Sequence, residues 1–143
     1  MNSHITVLID RFTNDIDFQL RKALEPHRLD EDSLQSIRAH HWDYWIFPSE
    51  HPLDDGELKS NYLKTDPEIL NNSSYIRNLP VDYHTSGIIL LDGSWIDLQD
   101  FGWRMRKEPS SKNDRAWKKW IQQLKIYLNE NKEQICVQVI VHC

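Results

Sequence analysis

Two β-strand patterns lie near opposite ends of the chain and limit the folds that it can adopt. The segment "SHITVLI" alternates Ile5, Val7 and Ile9 with His4, Thr6 and Leu8, and "QICVQVIVHC" alternates four β-branched residues with Cys136, Gln138, Ile140 and His142. Because successive side chains of a strand point to opposite faces, each segment predicts a half-buried or fully buried strand. If the two strands pair antiparallel, the start of the first abuts the end of the second.

Three segments predict helices that would cover such a sheet. In "SSKNDRAWKKWIQQLKIYLNEN", Ser111 and Asp114 resemble a capping box, and an apolar stripe follows at helical spacing: Trp117, Trp120, Ile121, Leu124 and Leu128. An earlier helix is expected to start at a Thr13 or Asn14 cap and to end before Pro26. A short amphipathic segment at 30–40 is the third.

Two further segments complete the predicted sheet. "HWDYWIF" alternates Trp42, Tyr44 and Ile46 with Asp43, Trp45 and Phe47, and in "SGIILLDGSWIDL" two apolar runs flank Asp92 and Gly93, which suit a two-residue hairpin turn. Between them, residues 49–80 form a long, polar excursion. The sequence therefore predicts one α+β domain over residues 1–143, with a mostly antiparallel sheet of about four to five strands and helices packed on one face.

The charge distribution favours a protein partner over nucleic acid. The net charge is −5, and residues 1–103 carry 18 acidic and 8 basic side chains, whereas residues 104–143 carry 4 acidic and 9 basic ones. Direct nucleic-acid binding calls for a dominant basic face, so it is not expected. There is no apolar run of about 20 residues and no signal peptide pattern, which predicts a cytoplasmic protein without a membrane partner.

Few residues have the spacing of catalytic or ligand-binding motifs. The chain has only four glycines, too few for a phosphate-cradling loop, and it has no Gly-x-Ser-x-Gly motif, so neither a cofactor nor a metal is expected. One alternative is open. His4 and His142 would lie side by side at the sheet end, with His41 or Asp43 nearby, and could act on a nucleotide or phosphorylated ligand together with Arg104 and Arg106. Three further histidines, His27, His51 and His84, are expected to be surface residues.

The aromatic residues suggest a contact surface. The chain has six tryptophans. Trp117 and Trp120 share the helix stripe and are expected in the core. An outward Trp45 next to an acidic loop has the composition of an interface hot spot. The predicted partner-binding residues are Trp45, Phe47, Glu50, Asp54, Asp55, Glu57 and Trp103.

Several short phrases together resemble a group of little-characterised phage and prophage proteins. The phrases are "SHITVLI", "HWDYWIFPS", "LLDGSWIDLQDFGWRM" and "VIVHC", and the matching positions are Ser3, His4, Thr6, Val7, Trp42, Asp43, Gly93, Trp95, Gly102, Trp103 and His142. The chain departs from that group where Phe47 and Pro48 replace paired glycines, and where Ile140 replaces an aspartate of the last strand. A site that needs this aspartate would be impaired here. The resemblance implies a mobile-element origin, where small acidic proteins often act as inhibitors or immunity factors.

These features favour a non-enzymatic protein-binding inhibitor or immunity-type factor that docks on a basic nuclease toxin or on a bacterial defence or CRISPR effector. The alternative is a small enzyme or sequestering protein for a nucleotide or phosphorylated ligand, built on His4 and His142.

Overall fold

The computed structural model describes residues 2–28, 42–50, 72–103 and 111–142. The helix expected at 30–40 and most of the excursion at 49–80 lie outside this part of the chain. In chain order the elements are β1 (Asn2–Ile9), α1 (Ile16–Leu24), β2 (Tyr44–Ile46), β3 (Ser73–Tyr75), β4 (Gly87–Ile89), β5 (Trp95–Asp97), α2 (Ser111–Glu130) and β6 (Ile135–His142). Short 3₁₀ helices follow several of them, among them Glu25–His27 after α1 and Leu98–Phe101 after β5.

The six described strands form one mixed, mostly antiparallel sheet. Its order is β2-β6-β1-β4-β5, and β3 pairs with β6 beside β2. The two long strands at the centre pair antiparallel over their full length, from Asn2 opposite His142 to Ile9 opposite Ile135. Only β1 and β4 run parallel. The predicted α+β class is confirmed, and so is the antiparallel pairing of the two outermost segments of the sequence.

The two helices lie on opposite faces of this sheet. Leu20 and Leu24 of α1 pack in one apolar cluster with the odd-numbered residues of β1 and β6. Trp120 and Leu124 of α2 pack in a second cluster with Leu8 and other residues of the opposite parity. The expectation that both helices share one face is therefore wrong. Both central strands carry apolar side chains on both faces, so a helix on one face alone would leave the other in water.

The loop of the hairpin between β4 and β5 has three residues, one more than the sequence predicted. The Gly93 amide donates to the Leu90 carbonyl at 2.9 Å, and the Leu90 amide donates to the Ser94 carbonyl at 2.9 Å. Gly93 has a φ of +90°, whereas no non-glycine residue in the described ranges has a positive φ. This is a three-residue loop with glycine in the left-handed region, not a two-residue turn on Asp92 and Gly93.

The cap of α1 is Asp15, and not Thr13 or Asn14 as expected. Its carboxylate accepts a hydrogen bond from the Phe18 amide at 3.0 Å.

Replacing Asp15 with alanine should lower the free energy of unfolding by about 1 kcal/mol, because it removes a side-chain acceptor from the first helical turn. Asn14→Ala should change it little, since Asn14 is exposed and only precedes the cap. Urea denaturation of both variants checks this, and a larger loss for Asn14→Ala would contradict the assignment.

The α2 stripe is rotated relative to the predicted one. Its fully buried residues are Trp120 and Leu124, with Ala116 at 2 % exposed, whereas Trp117 is 37 % exposed and contacts the exposed His84 edge-on, with ring centroids 5.4 Å apart. Trp117 therefore lies at the margin of the helix interface and not in the core.

No helix in the described ranges is both long enough and apolar enough to cross a membrane.

A chain of buried hydroxyls connects the segment before β4 to β1. Thr85 Oγ1 donates to the Gly87 carbonyl at 2.9 Å, so Thr6 Oγ1, 2.6 Å away, must donate to Thr85. The Tyr83 hydroxyl, 2.8 Å from Thr6 Oγ1, then donates to Thr6. This network satisfies the fully buried Thr6 hydroxyl on the face that α2 covers.

Candidate functional site

A cleft of about 520 Å³ opens between α1, the 3₁₀ helix after it, and β2. Its lining residues are Arg21, Glu25, Arg28, Trp42, Asp43, Tyr44, Trp45 and Phe47. Trp42 holds the two sides together. Its indole Nε1 donates to the Leu24 carbonyl at 2.8 Å, and its amide donates to the His27 carbonyl at 3.1 Å. The chain therefore contacts the end of α1 at Trp42 before it enters the sheet as β2.

Two arginines of the cleft lie on tryptophan rings. The Arg21 guanidinium is 5.3 Å from the centroid of the Trp45 ring, and that of Arg28 is 6.0 Å from the Trp42 ring. Each also pairs with a carboxylate: Arg21 Nε with Asp17 at 3.0 Å, and Arg28 with Glu25 at 3.9 Å. Both arginine side chains remain 62 % exposed. The ring and the carboxylate restrict each guanidinium, and its remaining N–H groups can contact a ligand or partner.

Asp43 and Tyr44 line the cleft and also form a second group with His142, which does not line it; we call this group, where β2 pairs with the end of β6, the corner. His142 Nδ1 lies 2.8 Å from Asp43 Oδ1, which also accepts from the Tyr44 amide at 2.8 Å. The Tyr44 ring stacks on the imidazole, with centroids 4.7 Å apart and planes 8° from parallel. The hydrogen bond from His142 is the main cause that lowers the pKa of Asp43 below its ordinary value. The carboxylate is therefore ionised at neutral pH.

The two terminal-strand histidines have separate partners. The register places Asn2 opposite His142, and His4 opposite Ile140. His4 Nδ1 lies 3.0 Å from the Gln138 side-chain amide, whereas His142 binds Asp43. The structure thus confirms that Asp43 lies near His142, but it gives the two imidazoles different environments. His41, Arg104 and Arg106 lie outside the described residues, and within the described ranges no three His, Cys, Asp or Glu side chains converge on a possible metal position.

Cys136 and His27 are engaged in packing. Burial raises the pKa of the Cys136 thiol to about 12, which leaves it uncharged and unreactive at neutral pH. His27, expected on the surface, is half-buried, and its Nε2 lies 2.8 Å from the Gly93 carbonyl. His84 is exposed, as predicted. His51 lies outside the described ranges.

The predicted partner-binding residues occupy different environments. Phe47 is 6 % exposed and belongs to the core cluster on the α1 face. Trp45 is half-buried, packs against that cluster and contacts Phe47 edge-on at 5.2 Å. Trp103 is half-buried against the core on the α2 face. Asp54, Asp55, Glu57 and the side chain of Glu50 lie outside what the structure describes.

The sequence did not identify three prominent residues of the site: Arg21, Arg28 and Tyr44. Arg21 lies in α1, Glu25 in the 3₁₀ helix after it, and Arg28 is the extended residue that follows. The contacts of the two arginines with Trp42 and Trp45 are not visible in the sequence, because they depend on the relative position of segments that are far apart in the chain. Tyr44, not Trp45, is the more exposed aromatic residue of β2, at 51 %.

Comparison with known proteins gives no relative for this site. No protein-family model matches the chain, and neither a curated protein sequence nor a solved structure does. The resemblance to phage and prophage proteins thus stays a proposal that rests on the short phrases quoted above.

Proposed function

We propose that this chain is a non-enzymatic binding protein, an inhibitor or immunity-type factor that docks on a protein partner through the cleft between α1 and β2. One observation carries the proposal. Five of the eight residues that line the cleft are arginine, tryptophan or tyrosine, the residue types that dominate interface hot spots: Arg21, Arg28, Trp42, Tyr44 and Trp45.

The charge of the chain suggests the class of partner. The net charge is −5, and Glu50, Asp54, Asp55 and Glu57 follow β2 directly in the sequence. An acidic protein is attracted to a basic partner at long range, which raises the association rate. We therefore propose a basic nuclease toxin, or a nucleic-acid-binding defence or CRISPR effector, as the partner class.

The alternative, a pocket for a nucleotide or phosphorylated ligand at His4 and His142, has less support. The ionised carboxylate of Asp43 lies against His142 and would repel a phosphate. His4→Ala separates the two functions. Binding of a protein partner should survive this change, whereas capture or turnover of a phosphorylated ligand should be lost.

Arg21→Ala tests the docking surface, and Arg11→Ala is its matched control. Arg11 also lies over an aromatic ring, 4.5 Å from the Phe12 centroid, and also pairs with a carboxylate, Glu133, at 3.5 Å, but it is not part of the cleft. A tagged protein would first capture partners from lysate of the native host, and the complex would then be rebuilt from purified components. Arg21→Ala should weaken that binary complex about tenfold, or about 1.4 kcal/mol, and Arg11→Ala should leave it unchanged.

Two results would contradict the proposal. One is a partner that binds both variants as tightly as the wild type, which would place the interface elsewhere. The other is the absence of any stoichiometric protein partner combined with tight binding of a phosphorylated small molecule, which would favour the alternative.

A further inference from the structure

Four exposed arginines of the described ranges share one arrangement. Each lies over an aromatic ring and pairs at the same time with a carboxylate. The four combinations are Arg11 with Phe12 and Glu133, Arg21 with Trp45 and Asp17, Arg28 with Trp42 and Glu25, and Arg77 with Tyr75 and Glu133. The planar guanidinium suits such a position because its face stacks on the ring while its edge donates hydrogen bonds to the carboxylate.

Asp43 and Tyr44 provide the same two groups, a carboxylate and an exposed ring. Both side-chain hydrogen bonds of Asp43 use Oδ1, so within the described residues Oδ2 has no partner. The Asp43 side chain is 46 % exposed. Tyr44 lies on His142 with one face and remains 51 % exposed, so its other face is open to solvent. No arginine of the described ranges lies over this ring.

His142 fixes the carboxylate of this corner. Its Nδ1 donates to the ionised Asp43 carboxylate at Oδ1, which leaves Oδ2 as the oxygen available to a partner. The corner thus presents a carboxylate oxygen and an electron-rich ring face. Both attract a guanidinium, and the carboxylate repels an anion.

We infer that the corner formed by Asp43, Tyr44 and His142 binds an arginine side chain of the protein partner. This inference rests on the docking surface proposed above and names the chemical group that the partner delivers to it. The partner's guanidinium stacks on the open face of Tyr44 and donates to Asp43 Oδ2, which repeats the arrangement that Arg21 makes with Trp45 and Asp17.

N-acetyl-arginine amide is the probe, and N-acetyl-citrulline amide, which has the same shape without the charge, is its control. Each would be titrated into isotope-labelled full-length protein while the ring signals of Tyr44 and His142 are followed by NMR. The arginine derivative should bind with a dissociation constant in the millimolar range and shift both rings, and the citrulline derivative should not.

Asp43→Asn keeps the size of the side chain and its acceptor for the Tyr44 amide but removes the charge. It should weaken binding of the arginine derivative about fivefold, the effect of one exposed ion pair. Asp82→Asn is the matched control, because it removes one exposed charge outside the corner and should have no effect. Tyr44→Leu keeps an apolar side chain without the aromatic face and should weaken binding about threefold.

Three outcomes would overturn the inference: equal affinity in Asp43→Asn and the wild type, equal shifts with the citrulline derivative, or ring shifts with Mg²⁺ but none with the arginine derivative. The rebuilt complex separates this inference from the docking proposal. If Arg21→Ala weakens the complex and Asp43→Asn does not, the docking surface is supported and the arginine position is wrong. If Asp43→Asn also weakens the complex and reduces its salt dependence, both are supported.

Discussion

Replacing Trp120 with alanine should lower the free energy of unfolding by about 4–5 kcal/mol, which is a large part of the stability of a domain of this size. Trp120 is 0 % exposed and is the largest fully buried side chain in the described part of the chain. It packs against Phe101 with ring centroids 5.8 Å apart. Its Nε1 donates to the Thr85 carbonyl at 2.7 Å, so truncation removes this hydrogen bond as well as the apolar contacts.

Trp117→Ala is the natural control, because it removes the same residue type from the same helix. Trp117 is 37 % exposed, and its loss should cost less than about 1 kcal/mol. Trp120→Phe should fall between the two, since it keeps an aromatic ring and loses the N–H donor. Equilibrium denaturation in urea gives the three values. Equal losses for the two alanine variants would contradict the position of Trp120 in the core.

The sequence predicted the long elements best, because their periodicity is repeated many times. The alternation in β1 and β6 runs over eight residues each, and the helical spacing of apolar residues in α2 extends over several turns. The same alternation contained evidence for a helix on each face, since the second face of the central pair carries the small or apolar residues Thr6, Leu8, Cys136 and Ile140 between its polar ones. The prediction of short elements was less accurate. The strand predicted from "HWDYWIF" is only three residues long, because Trp42 bonds to the end of α1 instead of the sheet.

The candidate site was predictable only in part, and strand register explains why. Alternation fixes which face a side chain occupies, but a shift of two residues preserves the face and changes every neighbour. The alternation pattern therefore placed His4 and His142 on one face correctly, but it could not show that His142 pairs opposite Asn2. The link between Asp43 and His142 was foreseen as a possibility. The contact of Arg21 with Trp45 was not, because it joins a helix and a strand whose relative position no local pattern encodes.

The cleft and the corner depend on the same central strand. β6 holds β2 through pairing of its last residues, Ile140 to His142, with Tyr44 to Ile46. On its other side it pairs with β1, against which α1 packs. Arg21 of α1 and the aromatic residues of β2 are therefore fixed relative to each other through β6 and β1. A change that shifts β1 should disturb the cleft even though no residue of β1 lines it.

Gly87→Ala should produce such a shift and lower the free energy of unfolding by about 2–3 kcal/mol. Gly87 lies in β4 between β1 and β5. A Cβ at this position would lie 2.8 Å from Ile5 Cδ1, 2.9 Å from Asp97 Cβ and 3.3 Å from the Ile96 carbonyl oxygen. Asp97 Cβ is attached directly to the backbone and cannot rotate away, so the strands themselves must move. Urea denaturation measures the loss.

A double-mutant cycle with Ile5→Val tests the cause of that loss. Valine lacks the Cδ1 atom that the new methyl group would meet, so Ile5→Val should relieve part of the clash in Gly87→Ala. Alone, Ile5→Val removes one buried methyl group from the core and should cost about 1 kcal/mol. In the Gly87→Ala background, Ile5→Val should leave the free energy of unfolding unchanged or raise it. The coupling energy between the two substitutions is then about 1 kcal/mol. Relief should stay incomplete because Asp97 Cβ is unchanged. Strictly additive losses would show that the two residues do not meet, and would contradict the parallel register of Ile5 opposite Gly87 that places β4 beside β1.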